Sequence, residues 1–133
     1  MILTLSNVRE MLISHDVIVQ SPDFIDPDFW VVKRDIWICL SNRKTIVIPA
    51  GYRYDMASVP KWLWSIFRPY NRGLLAFLIH DWLYVGRPTW VDRSFADNEM
   101  KIWLDRLNKN PVDNWIRFQI VRLFGWSKWN KFV

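Results

Sequence analysis

Short runs of β-branched and aromatic residues dominate the first half of the chain and predict β-strands. These runs occupy residues 17–20, 29–32, 36–40 and 45–48, and stretches rich in Pro, Asp, Ser and Asn separate them. The polar segment 41–44 has the length and composition of a hairpin connection. We therefore expect a small antiparallel β-sheet in this half of the chain.

From Pro60 onward, the apolar residues follow the pattern of helices. Pro60 suits the first turn of a short helix that stops at Pro69. Asn71 is expected to cap a second helix, which runs to about Val85 and stops at Gly86.

Two further helices are predicted after this one. The segment 89–92 has the form of a capping box and opens a third helix, which ends near Leu107. Asn110 and Pro111 open a fourth helix, which ends at Gly125.

Composition agrees with one folded domain, because 51% of the 133 residues are hydrophobic and can build a core. The predicted fold class is α+β, with a small N-terminal antiparallel β-sheet followed by a C-terminal bundle of about four helices. No internal repeat or long linker divides the chain, so we expect a single domain, β-rich over residues 1–59 and helical over residues 60–133. Ten Trp residues suit both a dense core and a contact surface.

The single cysteine, Cys39, excludes an intramolecular disulfide and a zinc site built on several thiolates. Its neighbours are apolar, so we expect a buried, unreactive thiol. The sequence contains no run of 18 apolar residues, so we expect no transmembrane helix. The first residues lack the features of a signal peptide. We therefore expect a protein that is made and folded in a cytoplasm.

The net charge of +5 comes from the last quarter of the chain. Residues 101–133 hold seven basic residues against two acidic ones, interleaved with aromatic residues that include Trp115, Phe118, Trp126, Trp129 and Phe132. One explanation is a surface for nucleic acid or anionic lipid, with Lys128, Lys131, Trp126 and Trp129 as the contacts. The other, which we favour, is a solvated helix face with aromatic residues packed behind it. No glycine-rich phosphate loop or zinc finger supports nucleic-acid binding.

The second helix is the candidate for chemistry, because apolar residues cover all its sides and yet it contains His80 and Asp81. A buried charge is costly unless it is paired or bound to a metal, so these two residues mark a candidate site. Tyr84 lies one turn after His80 and shares its face.

A second acid is predicted to join this site from the third helix. Asp97 lies at the edge of the apolar stripe of that helix, and we expect it to point inward, towards His80. By contrast, Asp92 is typical of a helix cap and Glu99 of a solvated charge. The stripe consists of Ala96, Met100, Trp103, Leu104 and Leu107.

The junction between the last strand and the first helix, residues 51–60, holds two more candidates. Asp55 could ligate a metal, cap a helix or hold a turn. Ser58 is expected to cap the short helix, because no G-x-S-x-G elbow surrounds it to make it a nucleophile. His15 and Asp16 repeat the His-Asp pair, but their polar surroundings predict an exposed position.

At these residues the chain resembles a bacteriophage and prophage family, the domain-of-unknown-function family 1353. The resemblance covers roughly residues 28–127, and its Asp-x-Ala-Ser-Val-Pro segment is uncommon. Tyr54 stands where the family usually has Thr. The family has no settled activity, so the resemblance implies a phage origin, with the host cytoplasm or the virion as location and phage structural proteins or a host factor as partners. The matching residues are Gly51, Asp55, 57–60, 80–84, Ala96, Asp97 and 121–126.

A weaker similarity bears on mechanism. The arrangement His-Asp-x-x-Tyr on one helix, with Ala-Asp on the following helix, is similar to the core of phospholipase A2 enzymes. The similarity implies that His80 deprotonates water as a general base, that Asp97 orients its ring and that Tyr84 supports Asp97. It also implies that Asp81 ligates Ca²⁺. Asp55 is our own candidate for a second ligand and is not part of the similarity. The glycine-rich calcium loop and the disulfides of secreted members have no counterpart in this sequence.

We therefore expect a phage protein that acts as a metal-assisted hydrolase on lipid or cell-envelope esters. The alternative is a non-enzymatic virion or tail component, or a host-factor-binding protein, in which the buried polar cluster only fixes helix packing. Contact with a membrane or envelope is compatible with both, and nucleic-acid binding is the least favoured expectation.

Overall fold

Strands come first and helices follow, which confirms the α+β class. The chain divides into two compact units, Met1–Met56 and Ala57–Val133. The predicted boundary near residue 59 lies outside the described residues. The computed structural model describes residues 2–8, 18–20, 30–54 and 73–131.

The described strands of the first unit form two three-stranded sheets, where the sequence predicted one. Their orders are β1-β4-β5 and β2-β3-β6. All pairs are antiparallel except β1 with β4, which is parallel. The additional strands β1 and β6 have two residues each, too short to show a periodic pattern in the sequence. The strands are β1 (Ile2–Leu3), β2 (Ile18–Gln20), β3 (Trp30–Val32), β4 (Ile36–Cys39), β5 (Thr45–Ile48) and β6 (Arg53–Tyr54).

The predicted hairpin is formed by β4 and β5. Ile36 pairs with Ile48, and Ile38 pairs with Ile46. These four side chains are buried, whereas Trp37 between them is 46% exposed. The alternation is that of strands with one face against a core.

Cys39 lies on the same face of β4 as the exposed Trp37, because side chains two residues apart on a strand point the same way. It is therefore partly exposed, and the prediction of a buried thiol is wrong. Its Sγ atom lies 3.8 Å from the carbonyl oxygen of Leu40.

The described helices of the second unit pack around a central apolar helix. Helix α1 has nine of its twelve residues buried, as its apolar sides predicted. Helix α2 packs against both α1 and α3, and α4 contacts α1 and α3. None of them is long and apolar enough to cross a membrane. The helices are α1 (Leu74–Val85), α2 (Arg93–Leu107), α3 (Pro111–Phe124) and α4 (Trp126–Lys131).

Side-chain caps fix the starts of α2 and α3. Asp92 caps α2, since its carboxylate accepts a hydrogen bond of 2.7 Å from the backbone N–H of Phe95. The prediction for Asp92 is thus confirmed, and a cap at Thr89 is wrong because the helix starts three residues later. Asn110 caps α3 in the same way, with Pro111 at the first helical position.

Two other helix predictions have different outcomes. Gly125 ends α3, but its φ of −73° and ψ of −18° are right-handed and helical, so the chain continues directly into α4. A glycine that ends a helix with a change of direction is usually left-handed. The predicted helix between Pro60 and Pro69 lies outside the described residues, as does Asn71. The N-cap of α1 is Gly73, so the prediction of a cap at Asn71 is wrong.

Candidate functional site

Helix α1 brings three polar side chains into the interior. His80, Asp81 and Tyr84 are at most 3% exposed. His80 and Tyr84 lie one turn apart, and their ring centroids are 4.2 Å apart with planes inclined by 42°. The two residues therefore share one face of the helix, as the sequence predicted.

Asp97 meets this face from the neighbouring helix α2. Its side chain is fully buried. Its Oδ1 atom lies 2.6 Å from Nε2 of His80 and accepts a hydrogen bond of 2.6 Å from the hydroxyl of Tyr84. The predicted meeting of His80 and Asp97 across two helices is therefore present.

Two arginines surround the rest of the Asp97 carboxylate. Arg122 of α3 donates a hydrogen bond of 2.6 Å from Nη1 to Oδ2. Arg93 of α2 donates one of 3.2 Å from Nε to the hydroxyl of Tyr84, and its Nε lies 3.8 Å from Oδ2 of Asp97. Arg93 also donates to the backbone carbonyl of Arg122. We call His80, Tyr84, Arg93, Asp97 and Arg122 the Asp97 cluster.

The charges of the Asp97 cluster follow from these contacts. Burial raises the pKa of Asp97, but the hydrogen bond and charge of His80, together with the hydrogen bonds from Tyr84 and Arg122, outweigh it and bring the pKa below its ordinary value. Burial, and then the hydrogen bond to Asp97, raise the pKa of the Tyr84 hydroxyl well above its ordinary value. At neutral pH, Asp97 is therefore an acceptor and Tyr84 a donor.

This geometry suits an imidazole that accepts a proton. A carboxylate beside Nε2 of His80 favours the tautomer with its proton on Nε2, which makes Nδ1 the basic nitrogen. The same carboxylate stabilises the imidazolium that forms when Nδ1 takes a proton. The hydrogen bonds from Tyr84 and Arg122 hold the carboxylate of Asp97 in place.

Asp81 has a different partner from His80. Its Oδ1 accepts a hydrogen bond from Nζ of Lys128 on α4, and the two residues are 2% and 9% exposed. Lys128 therefore neutralises the carboxylate that the sequence assigned to calcium. Within residues 2–8, 18–20, 30–54 and 73–131, no group of three or more His, Cys, Asp and Glu side chains could hold a metal ion.

Four residues that the sequence singled out cannot be placed in this geometry. They lie outside the described residues and are His15, Asp16, Asp55 and Ser58.

Two charged residues that were expected in solvent are buried. Glu99 is 1% exposed and accepts a hydrogen bond of 3.0 Å from Nε1 of Trp103, one turn along α2. Arg117 is fully buried, with Nη2 lying 3.1 Å from Oδ2 of Asp113. The predictions of a solvated Glu99 and of a solvated basic face are therefore wrong. Glu99 has a hydrogen-bond donor in Trp103, and Arg117 has an ion-pair partner in Asp113.

The sequence analysis missed the cations that accompany the buried acids. Lys128 was considered only as a surface contact, Arg122 was not assigned to the site, and Arg93 was not singled out. One signal was available, because two acids predicted to be buried require cations or hydrogen-bond donors nearby. Sequence distance hid the partners, since Arg122 lies 25 residues from Asp97 and Lys128 lies 47 residues from Asp81.

Gly125 has a role that the sequence did not indicate. A Cβ atom at this position would lie 2.8 Å from the hydroxyl oxygen of Tyr84 and 2.6 Å from the carbonyl oxygen of Val121. The ring of Tyr84 also meets that of Trp129 edge to face, with centroids 5.2 Å apart. A residue without a side chain therefore lets Tyr84 reach the start of α4 while it binds Asp97.

A family model described as a protein of unknown function, DUF1353, matches residues 30–121. The chain belongs to the DUF1353 family. No curated protein and no solved structure matches it. The DUF1353 match includes His80, Asp81, Tyr84 and Asp97, and it ends one residue before Arg122. It therefore includes the acids and the imidazole of the site, but not their cationic partners Arg122 and Lys128.

Proposed function

We propose that this DUF1353 chain is a phage-encoded hydrolase in which His80 activates water for attack on an ester. The observation that carries the proposal is the 2.6 Å contact between Nε2 of His80 and Oδ1 of Asp97, with the same oxygen bonded to Tyr84. An imidazole held by a buried carboxylate is the usual arrangement of a general base. The phage origin is supported by the sequence resemblance described above.

In the proposed reaction, Nδ1 of His80 takes a proton from water as the oxygen attacks the ester carbonyl carbon. Asp97 stabilises the imidazolium through Nε2, and Tyr84 and Arg122 keep its carboxylate in position. The imidazolium then returns the proton to the leaving alcohol as the carbon–oxygen bond breaks. The expected substrate class is lipid or cell-envelope esters.

A calcium ion does not fit the described residues. Oδ1 of Asp81 is bonded to the ammonium group of Lys128, and the described residues offer no cluster of acidic and imidazole ligands. Calcium binds through several oxygen ligands at once. We therefore propose no step through a metal, and a role for Asp55 as a ligand stays a prediction.

The test is ester hydrolysis by the purified protein, with short-chain nitrophenyl esters and with phospholipid in mixed micelles. His80→Gln should lower kcat by about a hundredfold or more, the usual contribution of a general base. Asp97→Asn should lower kcat less, because it leaves the imidazole present. His15→Gln is the matched control, since His15 is the other of the two histidines of the chain. This variant should keep the wild-type rate.

Because the proposed reaction includes no metal, a chelator should leave the rate of hydrolysis unchanged. The proposal is wrong if the wild-type protein shows no hydrolysis above buffer, or if His80→Gln retains full activity while circular dichroism shows it folded.

A second candidate is a non-enzymatic phage protein, either a virion or tail component or a host-factor-binding protein, with the Asp97 cluster as a packing device. The observation in its favour is that both oxygens of the fully buried Asp97 accept bonds from α1 and α3. In this case His80→Gln lowers the free energy of unfolding and no ester is cleaved by the wild-type chain. Urea unfolding beside the activity assay separates the two candidates.

A further inference from the structure

The outward side of α3 is apolar, although the outward side of a helix in a soluble unit is ordinarily polar. Val112 and Leu123 are each 65% exposed, Trp115 is 57% exposed and Ile116 is 37% exposed. Their spacing of three, four and seven residues places them on one side of the helix. Trp126, at the start of α4, is 56% exposed and follows them. We call these five residues the α3 face.

Two polar residues of α3 are buried on its inward side. Asn114 is 1% exposed, and its side-chain amide donates hydrogen bonds of 2.9 Å to Oδ1 of Asp105 and 2.8 Å to the carbonyl of Asn108. Arg117 is fully buried beside Asp113. The inside of α3 thus combines these polar contacts with the buried Ile120 and Val121, and the apolar side chains of the α3 face lie on the other side of the helix.

The net charge of the chain is positive, at +5. Near the α3 face, Lys109 before the helix is exposed. Arg117, Arg122 and Lys128 are each paired with an aspartate, namely Asp113, Asp97 and Asp81. A second copy docked here would bring like charges together, whereas an anionic partner would offset them.

The shape of the α3 face also suits a flat, apolar partner. Helix α3 has 14 residues and is therefore about 21 Å long. The aliphatic side chains of Val112, Ile116 and Leu123 suit an acyl-chain layer. Trp115 and Trp126 are residues of the type that collects at the boundary between lipid headgroups and acyl chains. Binding in the plane of that boundary is typical of helices with an apolar side and basic neighbours.

We propose that the α3 face docks on the surface of an anionic lipid bilayer. Docking buries Val112, Ile116 and Leu123 among the upper acyl chains and leaves Lys109 at the level of the negative headgroups. This lipid binding is a property of the outer surface of α3 and does not depend on hydrolysis at His80.

The test is binding of the full chain to vesicles of ether-linked lipids, which contain no ester to cleave. Vesicles of ether phosphatidylglycerol should be bound at least about tenfold more tightly than those of ether phosphatidylcholine, and salt should weaken the binding. The double variant Trp115→Ser/Leu123→Ser should bind about tenfold or more weakly, because it removes two large apolar side chains.

Trp37→Ser is the matched control, since Trp37 is 46% exposed on β4 of the first unit. It should bind vesicles like the wild-type chain. Circular dichroism should show that the double variant is folded, and Ile116→Ser provides a milder change with the same expected direction.

Three results would overturn the proposal. The wild-type chain fails to bind anionic vesicles, Trp37→Ser weakens binding as much as the double variant does, or binding is equal for neutral and anionic lipid. A concentration-dependent dimer in light scattering that Leu123→Ser abolishes, without vesicle binding, would assign the α3 face to a second copy of the chain instead.

Discussion

Replacing Gly125 by alanine adds one methyl group at the point where Tyr84 reaches the junction of α3 and α4. At most helical glycines this change is stabilising by about 0.4–1 kcal/mol, because alanine has less conformational freedom in the unfolded chain. The φ and ψ of Gly125 are helical, so the backbone itself accepts alanine. The sign of the effect therefore depends on what the methyl group meets.

The new Cβ would lie 2.8 Å from the hydroxyl of Tyr84 and 2.6 Å from the carbonyl oxygen of Val121. Both distances are shorter than ordinary contact, so either the Tyr84 ring or the backbone has to move. Overpacking of this kind costs about 1–3 kcal/mol. Against the gain from the unfolded state, we expect Gly125→Ala to lower the free energy of unfolding by about 1–2 kcal/mol.

Urea unfolding followed by tryptophan fluorescence measures this loss. Ser127→Ala is the control, because Ser127 is exposed on α4 and its change to alanine should alter the free energy of unfolding by less than about 0.5 kcal/mol. Combining Gly125→Ala with Tyr84→Phe should cost less than the sum of the two single losses, since the clash with the hydroxyl is removed, even though Tyr84→Phe by itself loses the bond to Asp97. If Gly125→Ala instead stabilises the protein, Tyr84 does not approach the α3–α4 junction as described.

Three further predictions concern stability and can be measured by the same urea unfolding. The pKa of Asp97 is lowered in the folded state, so its contribution is present above its ordinary pKa and is lost as the pH falls through the folded pKa. The stability difference between the wild-type chain and Asp97→Asn should therefore shrink in acid, and a constant difference would contradict this. Lys128→Met should cost about 3–5 kcal/mol because it removes the cation that pairs with the buried carboxylate of Asp81, whereas Asp81→Asn/Lys128→Met should be more stable than Lys128→Met alone; additive losses would refute the pairing. Asn110→Ala should cost about 1 kcal/mol through loss of the α3 cap, and an unchanged unfolding midpoint would show that the cap contributes nothing.

The parts of the fold that local pattern specifies could be predicted from the sequence. The β4–β5 hairpin follows from short apolar strands around a polar connection, and α1 follows from apolar residues on every side. The pairing of β1 with β4 could not be predicted, because two residues carry no periodicity and parallel pairing joins residues far apart in the chain.

The candidate site divides in the same way. His80 and Tyr84 share a helix face by spacing alone, and the position of Asp97 beside an apolar stripe indicated that it points inward. Its bond to Arg122 and the pairing of Asp81 with Lys128 join different helices, so no local pattern contains them. Glu99 was predicted to be solvated because helical spacing does not show that Trp103 offers it a donor.

The long-range pairing of acids with cations bears on how the chain folds during its synthesis. A ribosome releases Asp81 and Asp97 long before Arg122 and Lys128, since the pairs lie 47 and 25 residues apart. Until α4 has left the exit tunnel, the nascent α1–α2 hairpin carries two carboxylates without these cations, which disfavours closure of its interior. We therefore expect a fragment that ends before Lys128 to be degraded by proteases and not to fold into a smaller functional protein.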